Sequence, residues 1–198
     1  MVTEAAAEAI GAGRRFLIAV SGGQTPWLML EALAERLPWE EVTVFQVDER
    51  IAPDGDPDRN LTQLERVLPL ERVDLRPMPV TADDLDAAAA AYASSLPPHF
   101  DLVHLGLGED GHTASLVPDD AVLDVTDRDV ALTGSYQGHR RMTLTYPVLG
   151  RARRVLWLVA GADKSPALAR LRAGDLSIPA SRVSTAKALV LADTAATA

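Results

Sequence analysis

The stretch FLIAVSGGQTPWLML, residues 16 to 30, joins a short apolar run to a glycine loop and then to a segment of helical periodicity. FLIAV (16–20) is continuously apolar, which is typical of a strand buried on both faces of a parallel sheet. Pro26 is favourable as a first helical residue, and the helical pattern stops before Pro38. The stretch therefore predicts a strand–loop–helix unit of an α/β fold.

The same alternation continues along the chain. Further buried strands are predicted at VTVFQV (42–47), FDLVHL (100–105), RVLWLVA (154–160) and ALVLAD (188–193), with weaker ones at 76–80, 129–134 and 142–146. Helical patterns cover residues 3–13, 60–68, 82–96 and 163–174, and Asn60 is predicted as an N-cap after a polar loop at 48–60. This order predicts an α/β protein with a mostly parallel, doubly wound (modified Rossmann-like) sheet and helices on both faces.

Composition narrows the class of protein. The 198 residues have one even composition, which indicates a single domain, and the formal net charge of −9 argues against nucleic-acid and anionic-membrane binding. The absence of cysteine excludes disulfides and thiolate chemistry. No apolar run is long enough to span a membrane and no secretory signal is visible, so we expect a cytoplasmic protein. A small anionic ligand remains compatible with this charge.

The predicted strands end in chemically marked loops. SGGQT (21–25), DER (48–50), LGLGEDGHTASLVP (105–118) and GADK (161–164) each follow a buried run. Ligands of open parallel sheets bind beyond the carboxyl ends of the strands. We therefore expect these four loops to share one rim of the sheet.

The first loop has the features of a phosphate site. Two glycines allow close backbone approach, and the N-terminus of a helix follows, so Ser21, Gly22, Gly23, Gln24 and Thr25 are candidate phosphate-binding residues. A tight turn with a serine or threonine cap is the alternative. The spacing and the missing Gly-Lys-Ser/Thr ending exclude a P-loop.

The third loop contains a literal G-x-G-x-x-G followed at once by His112. A dinucleotide site needs a long helix behind the glycines, whereas only TASL precedes Val117 and Pro118. The pattern favours a loop that exposes His112 as a general base, with Asp110 or Asp48 fixing its tautomer. A solvated loop histidine is the alternative. Asp-x-His is a poor metal ligand set, so no metal site is predicted.

Charged residues near the other strand ends complete the candidate site. Asp48 and Arg50 follow a buried strand, and Arg141 precedes MTLTY. Lys164 lies at the start of a helix, where a cation is unfavourable to the helix dipole, and an anion nearby would explain this placement. Solvated surface charges are the alternative for each of them. His104 lies inside a predicted strand and is expected in the core.

Taken together, these motifs resemble the 6-phosphogluconolactonase family. SGGQTP, VDER, Asn60 before a helix, LGLGEDGHTASLVP, RMTLT and GADKSPAL with IPAS (178–181) stand in the family's order, from about Phe16 to the C-terminus. The resemblance implies an α/β fold related to glucosamine-6-phosphate deaminase. It also implies cofactor-free hydrolysis of 6-phospho-D-glucono-1,5-lactone to 6-phosphogluconate in the oxidative pentose phosphate pathway.

Carried over by position, the resemblance makes His112 the base that activates water, with Asp48, Arg50 and Asp110 as catalytic neighbours. It assigns substrate and phosphate binding to Ser21, Gly22, Gly23, Gln24, Thr25, Asn60, Gly108, Gly111, Arg141 and Lys164. The implied partner is a small sugar-phosphate lactone, and a monomer or weak homodimer is expected.

Three features depart from the family pattern. Arg59 stands where a serine usually precedes Asn60, and Val117 stands where lactonases favour phenylalanine. The sequence before FLIAV is short, so an N-terminal edge strand is expected to be missing. The related deaminases carry a glutamate at the position of Val117, which weakens the alternative of a deaminase. A non-catalytic sugar-phosphate-binding domain is a further alternative.

Overall fold

The computed structural model describes residues 1–183 and 186–198. Its strands are β1 (Phe16–Val20), β2 (Val42–Gln46), β3 (Asp48–Arg50), β4 (Asp74–Arg76), β5 (Leu102–Leu105), β6 (Val130–Leu132), β7 (Arg141–Leu144), β8 (Val155–Val159) and β9 (Ala188–Ala192). Its α-helices are α1 (Val2–Gly11), α2 (Gln24–Leu33), α3 (Asn60–Val67), α4 (Leu85–Ser95), α5 (Tyr146–Gly150) and α6 (Ser165–Ala173).

The larger sheet confirms the predicted doubly wound architecture. Its strand order is β4-β2-β1-β5-β8-β9, and every pairing in it is parallel. Numbered by their order in the chain, these strands run 3-2-1-4-5-6, which is the Rossmann order. The order reverses between β1 and β5, so a crevice is expected at the carboxyl ends of these two strands.

Helices cover both faces of this sheet because successive side chains of a strand point to opposite sides. On β1, Ile18 belongs to one apolar cluster, which contains Leu30 of α2 and Leu64 of α3. Its neighbour Ala19 belongs to a second cluster, which contains Tyr92 of α4 and Leu168 of α6. The continuous apolar run FLIAV is thus explained by burial on both sides.

A smaller antiparallel sheet, β3-β7-β6, stands beside the large one. The prediction of a loop at 48–50 is wrong, because these residues form β3, in which Asp48 pairs with Thr143 and Arg50 with Arg141. Three charged residues carry no strand signal of their own, and the strand exists because β7 supplies the ladder. The pairing fixes Asp48 and Arg50 next to Arg141.

Several element boundaries differ from the prediction. The edge strand lies at Asp74–Arg76 rather than 76–80, since Pro77 and Pro79 cannot donate to a ladder. Helix α2 begins at Gln24, before Pro26, and ends at Leu33. Asn60 is the first residue of α3 rather than its N-cap.

The N-terminus of α3 is capped from a distance. The buried Glu49 carboxylate accepts the backbone N–H of Asn60 at 2.7 Å and of Leu61 at 2.8 Å. Arg59, the departure from the family's serine, is itself buried and places its Nε 3.6 Å from Glu49 Oε2. Because Glu49 supplies the cap, the side chain of Asn60 is available for other contacts.

None of the helices in the described residues has the length and apolar character needed to cross a membrane.

Candidate active site

A cleft of about 190 Å³ lies beyond the carboxyl ends of β1 and β5, at the point where the strand order reverses. It brings together most of the predicted site residues, namely Ser21, Gly22, Gly23, Asp48, Arg50, Asn60, Gly108, His112, Arg141 and Lys164. Gly106, Leu107 and Ala114 also line it. The expectation that the marked loops share one rim is therefore confirmed.

Four predicted residues do not line this cleft. Gln24 and Thr25 form the first turn of α2, behind the glycine loop. Asp110 lies behind His112 and contacts the imidazole at Nδ1. A Cβ added to Gly111, whose φ is +83°, would lie 2.5 Å from Ile178, so this glycine serves the turn and its packing.

The loop around His112 is folded by hydrogen bonds between its own residues. The N–H of Gly108 donates to the carbonyl oxygen of His112 at 2.9 Å, and the N–H of Gly111 donates to that of Gly108 at 3.0 Å. A side chain at Gly108 would collide with the imidazole, since an added Cβ would lie 2.0 Å from His112 Nδ1. The glycines of the G-x-G-x-x-G pattern therefore make room for the His112 side chain, and the pattern does not indicate a dinucleotide site here.

Asp110 fixes the orientation of the imidazole. Its Oδ1 lies 2.6 Å from His112 Nδ1 and accepts the backbone N–H of His112 at 3.0 Å. A carboxylate at Nδ1 places the proton of the neutral ring on that nitrogen and leaves Nε2 as the proton acceptor. No hydrogen-bond partner of Nε2 is found among residues 1–183 and 186–198.

The ionisation of Asp110 is favoured by the same contacts. Burial opposes the charged form, but hydrogen bonds from the backbone and ring of His112 and from Tyr136 outweigh it, so the pKa of Asp110 lies below its ordinary value. The carboxyl is thus ionised at neutral pH. Of the two carboxylates considered for this task, Asp110 holds the histidine, whereas Asp48 makes no hydrogen bond to it in the described structure.

Tyr136 is a site neighbour that sequence reasoning missed. Its hydroxyl donates to Asp110 Oδ2 at 3.1 Å, and its ring lies edge-on to His112 with centroids 5.3 Å apart. It stands at a tight hairpin turn in which Gln137 and Gly138 both have positive φ. A glycine-containing turn between two predicted strands was the available signal, but nothing in the sequence indicates that this turn reaches His112.

Asp48 is held in the buried wall of the cleft. Its Oδ2 accepts a hydrogen bond from Ser115 Oγ at 2.6 Å, and its backbone oxygen accepts one from Asn60 Nδ2 at 2.9 Å. Asn60 Oδ1 in turn accepts from Arg50 at 2.9 Å. Ser115, also missed, is the T-A-S serine of the His112 block. This network ties the Asp48–Arg50 strand to the start of α3.

The glycine loop is shaped by Asn60. A Cβ on Gly22 would lie 1.8 Å from Asn60 Oδ1, so only glycine allows this approach. The backbone N–H groups of Gly22 and Gly23 have no acceptor in the described part of the chain. Unpaired N–H groups at the start of a helix suit an anion.

His104 lies directly beneath this loop and is buried, as predicted. Its Nδ1 accepts the backbone N–H of Ser21 at 3.4 Å, and its backbone oxygen accepts from Ser21 Oγ at 3.2 Å. Burial lowers the pKa of His104 to about 3, so the ring is neutral at physiological pH. Its role is to support the loop from the core.

Two cationic side chains of the cleft, Arg141 and Lys164, differ in how they are paired. Arg141 is 4% exposed, and within residues 1–183 and 186–198 its guanidinium makes two long hydrogen bonds, to Tyr136 O at 3.4 Å and to Gln137 Oε1 at 3.5 Å. Burial lowers the pKa of Arg141, and the charge of Asp48 opposes this shift. Lys164 Nζ lies 2.9 Å from Asp163 and 3.5 Å from Glu109. A buried, poorly paired guanidinium is stabilised when an anion binds.

Within residues 1–183 and 186–198, no group of three or more His, Asp or Glu side chains is placed so that it could bind a metal ion.

Fold and cleft together define an α/β protein of Rossmann strand order, with a histidine–carboxylate pair and cationic side chains at its topological switch point. A sequence model of the family described as "Glucosamine-6-phosphate isomerases/6-phosphogluconolactonase" matches residues 1–191. The chain belongs to this family.

Curated relatives and solved structures agree with this assignment. The chain is 42% identical to the 6-phosphogluconolactonase of a Synechocystis species over 86% of its own length and 77% of that protein. It is 40% identical to that of a Nostoc species over 83% and 76%. The crystal structure of 6-phosphogluconolactonase from Thermotoga maritima superposes with a TM-score of 0.82 at 27% identity, covering 96% of this chain and 92% of that one.

Proposed function

We propose that this chain hydrolyses 6-phospho-D-glucono-1,5-lactone to 6-phospho-D-gluconate in the oxidative pentose phosphate pathway, with His112 as the general base. The observation that carries the proposal is the His112–Asp110 pair, whose Nδ1–Oδ1 distance of 2.6 Å leaves Nε2 as the acceptor in an anion-binding cleft. The names of the relatives support the choice of substrate.

The reaction begins with water. His112 Nε2 takes a proton from a water molecule as its oxygen attacks C1 of the lactone, and the electron pair of the C1 carbonyl moves onto its oxygen. The N–H of Gly108 is already donated to His112, so we assign stabilisation of this oxyanion to Arg50. As the oxyanion collapses, the bond from C1 to the ring oxygen breaks and His112 returns its proton to that oxygen.

The phosphate orients the substrate from a distance. It is bound by Lys164, Arg141 and the N–H groups of Gly22 and Gly23. Binding at the phosphate places the reacting carbon next to His112. Asp48, in the wall of the cleft, attracts the guanidinium of Arg141. A soluble lactone needs no macromolecular partner or cofactor, and a cytoplasmic monomer or weak homodimer stays our prediction.

The deaminase alternative lacks a supporting group. Val117, where the deaminases carry a glutamate, is apolar and only 5% exposed. The proposal is tested with lactone freshly prepared from glucose 6-phosphate, in an assay in which 6-phosphogluconate dehydrogenase reports the product. Hydrolysis faster than the spontaneous rate supports it. Release of ammonia from glucosamine 6-phosphate would instead indicate a deaminase. Binding of 6-phosphogluconate without either activity would indicate a non-catalytic binder.

A further inference from the structure

Tyr136 lies between the His112–Asp110 pair and Arg141, which have separate tasks in the proposed mechanism. Its hydroxyl contacts the Asp110 carboxylate, which orients His112. The guanidinium of Arg141 lies over its ring, with the central carbon 5.1 Å from the ring centroid. A single side chain therefore touches both the acid–base pair and a phosphate-binding cation.

The hydroxyl completes the fixation of Asp110. Carboxylate oxygen Oδ1 is held by the backbone N–H and Nδ1 of His112, while Oδ2 accepts the hydrogen bond of Tyr136 at 3.1 Å. With both oxygens engaged, turning the carboxylate out of its plane would weaken these hydrogen bonds together. Hydrogen bonds to a charged group are among the stronger ones in proteins.

The ring performs a different task. Arg141 is buried, and in the described part of the chain its Nε has no hydrogen-bond partner. The face of Tyr136 and the carbonyl oxygen of the same residue are its main support. A cation over an aromatic face is attracted by the ring's quadrupole, which holds the guanidinium in place without neutralising it.

The backbone around Tyr136 forms a tight two-residue turn. Tyr136 and His139 exchange two backbone hydrogen bonds, of 2.9 and 3.2 Å, across the pair Gln137 and Gly138. Positive φ at both central residues is the type I′ geometry that matches the twist of a hairpin. The turn connects β6 to β7, and β7 begins at Arg141 itself.

We propose that Tyr136 is a positioning residue that couples the two halves of the site, its hydroxyl orienting Asp110 and His112 and its ring orienting Arg141 toward the phosphate. This inference rests on the proposed lactonase function. It also assigns the two tasks to two chemically separable parts of one side chain, so two substitutions distinguish them.

The test compares Tyr136→Phe with Tyr136→Leu in the full chain. Tyr136→Phe removes only the hydroxyl, and we expect kcat to fall about tenfold with KM within about twofold of wild type. Tyr136→Leu also removes the aromatic face, and we expect a further rise of about fivefold in KM and in the Kd for 6-phosphogluconate measured by calorimetry. Tyr146→Phe is the matched control, since its hydroxyl donates to Pro179 O, outside the cleft.

A spectroscopic readout separates positioning from general stability. The proton on His112 Nδ1 should give a downfield resonance in wild type and in Tyr146→Phe, and this resonance should broaden through faster exchange in Tyr136→Phe. An unchanged resonance with wild-type kcat in Tyr136→Phe would overturn the proposal, as would equal changes of KM in the two variants. If wild type hydrolyses no lactone, the proposed function fails, while the resonance and the Kd still test Tyr136.

Discussion

His112 Nδ1 lies 2.6 Å from Asp110 Oδ1, and the same oxygen accepts the backbone N–H of His112 two residues along the chain. The pair is therefore built within one five-residue turn, from Gly108 to His112, and does not depend on distant strands meeting in register. The glycines on either side make this turn possible, because Gly111 has positive φ and Gly108 lies against the imidazole.

Asp110→Asn tests the role of this carboxylate. An asparagine can donate its amide N–H to Nδ1, which moves the ring proton to Nε2 and removes the proton acceptor from the cleft. We expect kcat to fall about 10²–10⁴-fold, the range typical of lost general-base catalysis. Steady-state kinetics with fresh lactone measures it. Asp124→Asn, a carboxylate outside the cleft, should keep wild-type kcat, and equal activity of the two variants would refute the role.

Lys164→Ala tests phosphate binding. The loss of a cation from the cleft should raise the Kd for 6-phosphogluconate about tenfold, since hydrogen bonds to charged groups contribute about 1.5–3 kcal/mol. Isothermal titration calorimetry gives this value independently of turnover. Lys187→Ala removes the other lysine of the chain, outside the cleft, and should leave the Kd unchanged. An unaltered Kd in Lys164→Ala would remove this residue from the site.

Glu109→Gln should act in the opposite direction. Lys164 Nζ lies 3.5 Å from Glu109, a carboxylate that also repels a phosphate. Removing its charge should strengthen 6-phosphogluconate binding by up to about fivefold, because exposed ion pairs are worth roughly 0–1 kcal/mol. The same calorimetric titration, repeated at high salt, should show a smaller difference. Weaker binding by Glu109→Gln would show that Glu109 does not repel the phosphate.

Gly22→Ala tests the contact between the glycine loop and α3. The new methyl group would lie 1.8 Å from Asn60 Oδ1, so Asn60 must release Arg50 or the loop must move. We expect a large loss of kcat/KM. Gly11→Ala adds a methyl group with no atom within 4 Å and should leave kcat/KM unchanged. Wild-type kcat/KM in Gly22→Ala would show that this close approach is unnecessary.

His104 predicts an acid-dependent loss of stability. Burial lowers the pKa of His104 to about 3, below the value of about 6.5 in the unfolded chain. Between these two pH values the unfolded state binds the extra proton, so the free energy of unfolding falls as pH decreases, by up to about 1.4 kcal/mol per unit. Above about pH 6.5 the titration of His104 no longer lowers the free energy of unfolding, because the ring is neutral in the unfolded chain as well.

Urea unfolding at pH 7 and at pH 5 measures this effect. His104→Gln removes the titrating ring, so its free energy of unfolding should fall less between the two pH values than that of wild type. His139→Gln, whose histidine lies at the surface beside Asp58, is the matched control. Identical pH dependence in wild type and His104→Gln would show that His104 is not the group responsible.

The sequence predicts much of this architecture for a clear physical reason. FLIAV and its counterparts are apolar on both faces, so buried parallel strands follow directly, and the loops after them must share one edge of the sheet. Local motifs such as Asp110–His112 are predictable because backbone geometry alone brings the two side chains together.

What the sequence does not reveal depends on pairing between distant segments. DER forms a strand only because RMTL lies beside it, and Glu49 caps α3 from eleven residues away. Tyr136 reaches His112 only because the β6–β7 hairpin brings it beside the loop from Gly108 to His112. No local propensity of these residues signals such contacts, since tertiary context alone creates them.

The rate of lactone hydrolysis by His112→Gln, compared with wild type in the same coupled assay, measures whether His112 is the general base. Glutamine keeps a polar side chain of similar reach but cannot take a proton near neutral pH. The general-base role of His112 predicts a fall in kcat of about 10²–10⁴-fold, while the Kd for 6-phosphogluconate and the free energy of unfolding change little. Hydrolysis by His112→Gln at a rate close to that of wild type would contradict it.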